Sequence, residues 1–317
     1  MTPEQLKASI LQYAIQGKLV EQRPEEGTGE ELYKKIQEVK QKLAKEGESF
    51  RNKKYPMITE DEKAYDIPET WIWVRLNDIV FNHGQKTPDA TFSYIDIGSI
   101  DNKKQQLNDE ENFIEASRAP SRARKIVRDG DILYSTVRPY LHNMCIVDNR
   151  FTCDPIASTG VAVMACCDGV YNKYLFYYLL SPWFDAYAND TSNSKGVAYP
   201  AINDDKLYKA VVPIPPLGEQ KRIVAKIEEL LPYVERYAAA YEKLEQLNVK
   251  FPEQIKKSIL QYAIQGKLVE QRPEEGTGEE LYHQIQEEKQ RLIKEGKIKK
   301  EKLLPEIKDD EITFEIP

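Results

Sequence analysis

The sequence predicts a mixed α/β protein: one globular domain over residues 69–213, carried by long helices that pair as an antiparallel coiled coil. Three observations predict it. A segment at the N-terminus recurs almost unchanged near the C-terminus. Between the copies, short apolar or alternating runs are separated by turn residues, the pattern of strands in a sheet. Ahead of the second copy, apolar residues follow strict 4-3 spacing, the seam of a coiled coil.

Residues 3–47 and 252–296 are identical at 38 of 45 positions with a constant offset of 249. The register continues to Ile67-Pro68, aligned with Ile316-Pro317, so the second copy stops where the first hands over to Glu69-Thr70-Trp71. Two copies this far apart do not make a solenoid, which stacks about three or more adjacent units. The layout is a unit A–B–C followed by a second A. Each copy reads as helix, loop, helix. In the first, Thr2 caps, Pro3 takes the first helical position and Gln5 completes a capping box. Gly17 supplies a left-handed stop. Thr28 and Glu31 make a second capping box, followed by the seam Leu32, Ile36, Val39, Leu43. In the second copy the seam is Leu281, Ile285, Glu288, Leu292, and its one charge predicts a shorter or more solvated helix.

In the middle segment the runs 71–76, 93–100, 131–137, 143–148 and 160–166 read as strands, and 171–188 as a helix bent at Ser181-Pro182. The run AVVPIPP at 210–216 reads as a stiff proline exit. Beyond it, Ile223, Ile227, Leu230, Val234, Tyr237, Tyr241 and Leu244 form the coiled-coil seam over residues 214–251, with Pro232 predicted to kink or interrupt the helix. Four segments result: 1–68, 69–213, 214–251 and 252–317.

Composition narrows the function. No run approaches the ~18 apolar residues of a membrane span, and MTPEQLKASI lacks a signal-peptide layout, so a cytoplasmic protein with no membrane contact is expected. Cys145, Cys153, Cys166 and Cys167 form no CxxC pair and read as small buried residues; no metal site is expected. Ile214-Pro215-Pro216-Leu217 lacks the polar group of a methyltransferase motif, and Gly17-Lys18 lacks the earlier glycine of a P-loop, Gln12 standing there. Asp89, Asp101 and Lys103 loosely match a magnesium-nuclease pattern, a chance outcome in a chain that is 31% charged. No catalytic residue is predicted.

Net charge is −7, and the middle segment alone is −3, yet residues 118–138 carry +4 from Arg118, Arg122, Arg124, Lys125, Arg128 and Arg138 against two acids. Phosphate contacts need only such an island. Arg122, Arg124 and Lys125 are the candidate phosphate ligands. Base reading needs directional donors and acceptors on neighbouring loops. The candidates are Thr136, Arg138, Tyr140, His142 and Asn143 on one loop, and Ser192, Asn193, Lys195 and Tyr199 on another. The alternatives are a coiled-coil adaptor whose middle domain binds protein and, more remotely, a magnesium-dependent nuclease.

WIWVRLNDIV after Ile-Pro, RARKIVRDGDILYSTVRPYLHN, NSKGVAYPAINDDKL running into VVPIPPLGEQKRIVAKIEEL, and SILQYAIQGKLVEQ stand in this order. The combination resembles the specificity subunits of type I restriction–modification systems over nearly the whole chain. The resemblance implies a non-catalytic reader of double-stranded DNA, with methyltransferase subunits docked on its helical regions and a restriction–translocase subunit joining them. S-adenosylmethionine, and ATP with magnesium, belong to those partners. Such subunits usually hold two recognition domains. This sequence holds one, like a half-length form, so pairing with a second copy of itself is expected.

Overall fold

The computed structural model describes residues 1–45, 53–190 and 201–300, with Pro305, Ile307, Lys308, Glu311, Ile312 and Phe314. Residues 1–238 form one compact unit and residues 239–317 a second.

The first unit opens with helices α1 (Pro3–Ile15) and α2 (Gly29–Lys45). Thr2 caps α1 as the sequence predicts: its hydroxyl accepts from Gln5 N at 3.3 Å, and Gln5 Oε1 accepts from Thr2 N at 2.9 Å. Thr28 and Glu31 repeat the arrangement before α2. Gly17 stops α1 with φ +69°, and a Cβ there would stand 2.3 Å from the Pro68 ring.

The chain then enters β1 (Ile72–Arg75), α3 (Leu76–Ile79), β2 (Val80–Phe81), β3 (Phe92–Ile95), β4 (Ile100–Asp101), β5 (Gln106–Leu107), β6 (Phe113–Ile114), β7 (Ala123–Ile126), β8 (Ile132–Ser135), β9 (Met144–Ile146), β10 (Pro155–Ser158) and β11 (Val161–Cys166). The predicted strand runs at 71–76, 93–100, 131–137, 143–148 and 160–166 each contain a strand. Two four-stranded sheets result, in the orders β6-β3-β10-β7 and β2-β11-β8-β9, with β4-β5 as a small ribbon. Only β3–β10 is parallel among these pairings. The short strands at 80, 100, 106 and 113 were not visible in the sequence because two residues carry no period.

The predicted bend at Ser181-Pro182 is a full break between α4 (Asn172–Leu179) and α5 (Pro182–Asn189); Ser181 Oγ caps α5 by accepting from Phe184 N. Helix α6 (Asp204–Lys209) follows. The expected proline exit is instead a strand, β12 (Val211–Ile214), antiparallel to β1 in the register Ile72↔Ile214 to Arg75↔Val211. A two-stranded ribbon has only edge strands, so it tolerates Pro213. The Tyr174 hydroxyl donates to Pro213 O at 2.7 Å, and the Tyr178 hydroxyl donates to Val211 O. Domain entry and exit are thus bonded to each other.

From this ribbon runs α7 (Leu217–Ile264), 48 residues long. Pro232 does not interrupt it. The proline costs the Glu228 carbonyl its donor, but Pro232 is exposed, so water can serve that oxygen, and buried Ile227 and Val234 anchor both flanks. Ile223 and Ile227 pack into the domain's own core, and Leu230 is half-buried. The seam residues beyond Val234 have a different environment: Tyr237 and Leu244 are exposed and Tyr241 is half-buried.

In the second unit the repeat departs from its first copy at one point. Phe251 stands where Thr2 stands in the first copy and cannot cap, so α7 runs straight through Pro252. The rest repeats. Gly266 has φ +65°, Thr277 and Glu280 form the capping box, and α8 (Gly278–Lys294) has the same length as α2, 17 residues. The charge at Glu288 does not shorten it.

Buried Arg75 is the tie between this ribbon and the segment that leads into it. Its guanidinium donates to both Glu62 oxygens at 2.9 and 2.7 Å, to Pro56 O and to Lys209 O. These bonds hold the Glu62 carboxyl down at about 2, chiefly through Arg75. A depressed carboxyl contributes stability above its unfolded value near 4.5, lost as pH falls toward 2. Urea titrations of the parent and Glu62→Gln are therefore expected to differ by about 3 kcal/mol at pH 7, with the gap closing between pH 4.5 and 2.

Candidate nucleic-acid interface

Strand β8 ends at Ser135, and the chain between it and β9 makes a single tight turn, Pro139–Leu141, flanked by Arg138 and His142. Both flanking residues adopt φ +50°. Left-handed backbone is disfavoured for side chains larger than glycine. Among the described residues the third such non-glycine residue is Gln105, at φ +56°, in the β4–β5 turn. The two turns touch: Asn102 Nδ2 donates to Leu141 O at 2.9 Å. The strained non-glycine backbone of the described chain is therefore collected in one place. Strain persists only where surroundings over-determine it, and it clusters at functional sites.

The supports are identifiable. His142 Nε2 donates to Asp185 Oδ1 at 2.7 Å, which fixes the ring on α5. Asn189 Nδ2 donates to the same carboxylate oxygen at 2.8 Å. The Thr136 hydroxyl and backbone N–H both donate to Gly160 O, at 2.9 and 3.1 Å. Ser135 N donates to Asn143 O at 2.9 Å, closing the base of the loop. Tyr140 and Leu141 form the exposed apex, and Arg138 and Asn143 are half-buried beside it.

The predicted phosphate ligands divide. Thr159 N donates to Arg122 O at 2.9 Å, so Arg122 is anchored on the same Ser158–Gly160 connection as Thr136, with its side chain exposed. Arg124 and Lys125 are successive residues of β7 and point to opposite faces. Arg124 is half-buried and its Nη1 donates to Ala123 O. The Lys125 ammonium donates inward to Val161 O at 2.7 Å, tying β7 to β11. The run of basic residues is thus not one surface.

The second predicted loop, with Ser192, Asn193, Lys195 and Tyr199, lies outside the described residues. Its downstream end is placed: Ile202 N donates to Thr136 O at 2.9 Å, and Ala201 bridges Val137. The chain leaving residues 191–200 therefore arrives at the base of the Arg138 turn.

Asn102, Asp185 and Lys104 are not among the DNA-contact candidates read from the sequence, and Lys103 stands there only in the nuclease pattern. Lys103 and Lys104 are exposed and carry no ion pair among the described residues. Their backbone N–H groups cap the Asp101 carboxylate at 2.9 and 3.0 Å and hold it below the usual range. That commits the Asp101 carboxylate to a turn. No group of three or more His, Cys, Asp or Glu side chains among the described residues could hold a metal ion. Burial pushes the Cys145 thiol up to about 12 and the Cys167 thiol to about 11, away from reactive thiolates.

The geometry defines a class: an α/β domain with both ends on one ribbon, presenting a braced polar turn with exposed cations nearby. The chain belongs to the type I restriction modification DNA specificity domain family, whose match spans residues 34–246. It is 27% identical to the EcoAI and EcoEI specificity subunits of Escherichia coli, aligned over 99% of this chain and 60% of each relative. The crystal structure of the HsdS subunit from Thermoanaerobacter tengcongensis superposes with a TM-score of 0.51 at 34% identity, covering 59% of this chain and 49% of that one. A second structure, described as showing complex assembly and conformational transition of the type I R-M system, gives 0.51 at 33%, covering 59% and 50%. The chain spans about 60% of the length of the curated relatives it matches.

Glycine removes the left-handed penalty, so Gln105→Gly is expected to leave stability unchanged or raise it by up to about 1 kcal/mol in urea unfolding. A clear loss of stability would show that the Gln105 side chain itself holds the turn.

Proposed function

We propose that this chain is the sequence-reading subunit of a type I restriction–modification complex, without catalytic groups of its own. The observation that carries the reading is the joined pair of turns at 101–105 and 138–142. Three non-glycine residues are held there in left-handed backbone, at a cost of order 1–3 kcal/mol each. Strain of this kind clusters at functional sites, and the braced turns hold their side chains in fixed positions, as reading a rigid duplex needs. Family membership supplies the ligand class.

Arg138, Tyr140, His142 and Asn143 read base edges, joined by Ser192, Asn193, Lys195 and Tyr199. Arg can bind guanine bidentately and Asn adenine. Thr136 positions the loop. Arg122 and Arg124 hold phosphates, with Lys103 and Lys104 added to them. Lys125 serves the fold through its Val161 bond instead. Confining the cations to this island explains how a chain of net charge −7 binds a polyanion.

The helical segments serve protein partners. Methyltransferase subunits dock there, the restriction–translocase subunit joins them, and S-adenosylmethionine and ATP with magnesium act in those subunits. The seam beyond Val234 pairs as an antiparallel coiled coil with a second copy of this chain, giving two recognition domains and a split, palindromic target. No helix among the described residues is long and apolar enough to cross a membrane, which fits work in the cytoplasm.

Fluorescence anisotropy on duplexes of defined sequence tests this, with the chain in complex with its methyltransferase subunits. Arg138→Ala is expected to cost about 1–3 kcal/mol on the preferred sequence and to relax preference at one position. Arg122→Ala is expected to weaken all sequences alike and lower the salt slope by about 1. Binding that is salt-insensitive, or indifferent to both substitutions, would favour a protein-binding adaptor.

A further inference from the structure

The two copies of the repeat differ in what covers them. In the first copy, Leu11, Ala14, Ile15, Gly29 and Ile36 are buried against the recognition domain. Gly29 is the closest approach: a Cβ there would stand 2.1 Å from the Ile214 backbone oxygen, a contact only glycine permits. Polar side chains complete the contact. Gln22 accepts from the Thr70 hydroxyl, Glu26 accepts from Arg222 Nε and Nη2 at 2.9 and 2.7 Å, and Tyr33 donates to Asp78. Gln37 and Lys40 donate to the carbonyls of Asp78 and Asn77. The first copy is a plug, and these domain residues are its socket.

The seven differences between the copies are Leu6/Ile255, Ala8/Lys257, Lys34/His283, Lys35/Gln284, Val39/Glu288, Lys42/Arg291 and Ala44/Ile293. None falls on a plug residue just named. Every buried position is kept, as Leu260, Ala263, Ile264, Gly278 and Ile285. So is every polar one, as Gln271, Glu275, Tyr282, Gln286 and Lys289. Four of the substituted positions, Lys34, Lys35, Val39 and Lys42, are exposed in the first copy, away from the socket.

In the second copy this face is open. Leu260, Ile264, Tyr282 and Ile285 are each more than half exposed. Gly278 has nothing within 4 Å of where its Cβ would be, so nothing in its present surroundings calls for a glycine. The shape of the plug is nonetheless already formed. Gln271 Nε2 donates to Gly266 O at 3.1 Å, as Gln22 does to Gly17 O at 3.1 Å. The tight turn Pro273–Glu275 repeats Pro24–Glu26. A preformed plug loses little entropy on docking.

We propose that the second copy is an exchangeable plug: it enters the recognition-domain socket of a second copy of this chain, in place of that chain's own residues 3–42. The occupant is argued from the socket itself. This chain's socket accepts this set of side chains, and the second copy presents the same set. Exchange of an identical element between protomers is a low-cost route to association. The proposal rests on the pairing suggested above but assigns it a different contact.

Sedimentation velocity on the full-length chain tests it. Glu26→Arg weakens the resident plug and leaves the socket's Arg222 free for Glu275 of another chain. Self-association is expected to tighten roughly tenfold, the equivalent of one good charged contact. Adding Glu275→Arg is expected to abolish the gain. An unchanged association constant in Glu26→Arg, or a gain that survives Glu275→Arg, overturns the exchange. Should Glu26→Arg lose helicity by circular dichroism, Arg222→Glu mixed with Glu275→Arg replaces it. Mixed dimers exceeding either variant alone are expected, and no excess overturns the proposal. If the parent chain is a monomer at micromolar concentration while Glu26→Arg associates through Glu275, the coiled-coil pairing fails and the exchange stands.

Discussion

The ladder between β1 and β12 is the constraint from which the rest of the first unit hangs. It joins Ile72–Arg75 to Val211–Ile214, so 135 residues of intervening chain are closed into a loop with its ends bonded together. Everything that enters or leaves the domain must then pass this ribbon. Gly29 lies against its Ile214 carbonyl, Tyr174 and Tyr178 seize the carbonyls of Pro213 and Val211, and Arg75 reaches from it to Glu62 and Lys209 O. Just beyond it, the buried Gln220 side chain accepts from Tyr171 N at 2.7 Å and donates to Gly169 O and Pro215 O. The first turn of α7 is thereby fixed to the connection between β11 and α4. The start of α7 is thus part of the first unit's own packed frame.

A fixed frame also lets the domain keep strain. Gln105, Arg138 and His142 stay in left-handed backbone because their neighbours leave them no alternative. The β8–β9 and β8–β11 ladders fix the stem, Gly160 holds Thr136, and Asp185 and Asn102 hold the two sides of the apex. In the base-reading role proposed above, this matters more than affinity. Bidentate hydrogen bonds discriminate only when the donors are already in register, and a loop that reorganised on each sequence would lose that discrimination.

Much of the fold was legible because it follows periods. The 4-3 seam marks α7, five of the strands alternate or run apolar, and the Thr2 and Thr28 capping boxes fall where the sequence puts them. What was illegible depends on partners distant in sequence. Pro213 reads as an exit because proline disfavours strands, and only Trp73 across the ribbon reveals otherwise. Arg122, Arg124 and Lys125 read as one patch because proximity in sequence resembles proximity in space. Strand alternation separates the last two, and the Val161 carbonyl claims Lys125. The turn at Arg138 was found from its side-chain chemistry, but its braces were not, since Asp185 is 43 residues from His142 and Asn102 is 39 from Leu141. Asn102-Lys103-Lys104 did offer a signal, a polar turn rich in cations, although nothing in the sequence placed it beside the other loop.

The repeat separates local from tertiary causes with unusual clarity, because one sequence is folded twice. Where the copies agree in local chemistry they agree in local structure: the left-handed glycine stop, the Pro-Glu-Glu turn, the capping box and the 17-residue helix all recur. The exception is one residue. Threonine before the proline starts a helix, and phenylalanine in its place lets the preceding helix run through. Burial, in contrast, is not in the repeat at all. Ile36 is 1% exposed and Ile285, its counterpart, is 52% exposed, so the difference lies wholly in what stands opposite. The open copy nonetheless keeps the glycine and the hydrogen-bonding side chains that the buried copy uses. That no difference between the copies falls on those contact residues argues that the open copy, too, has a surface to meet.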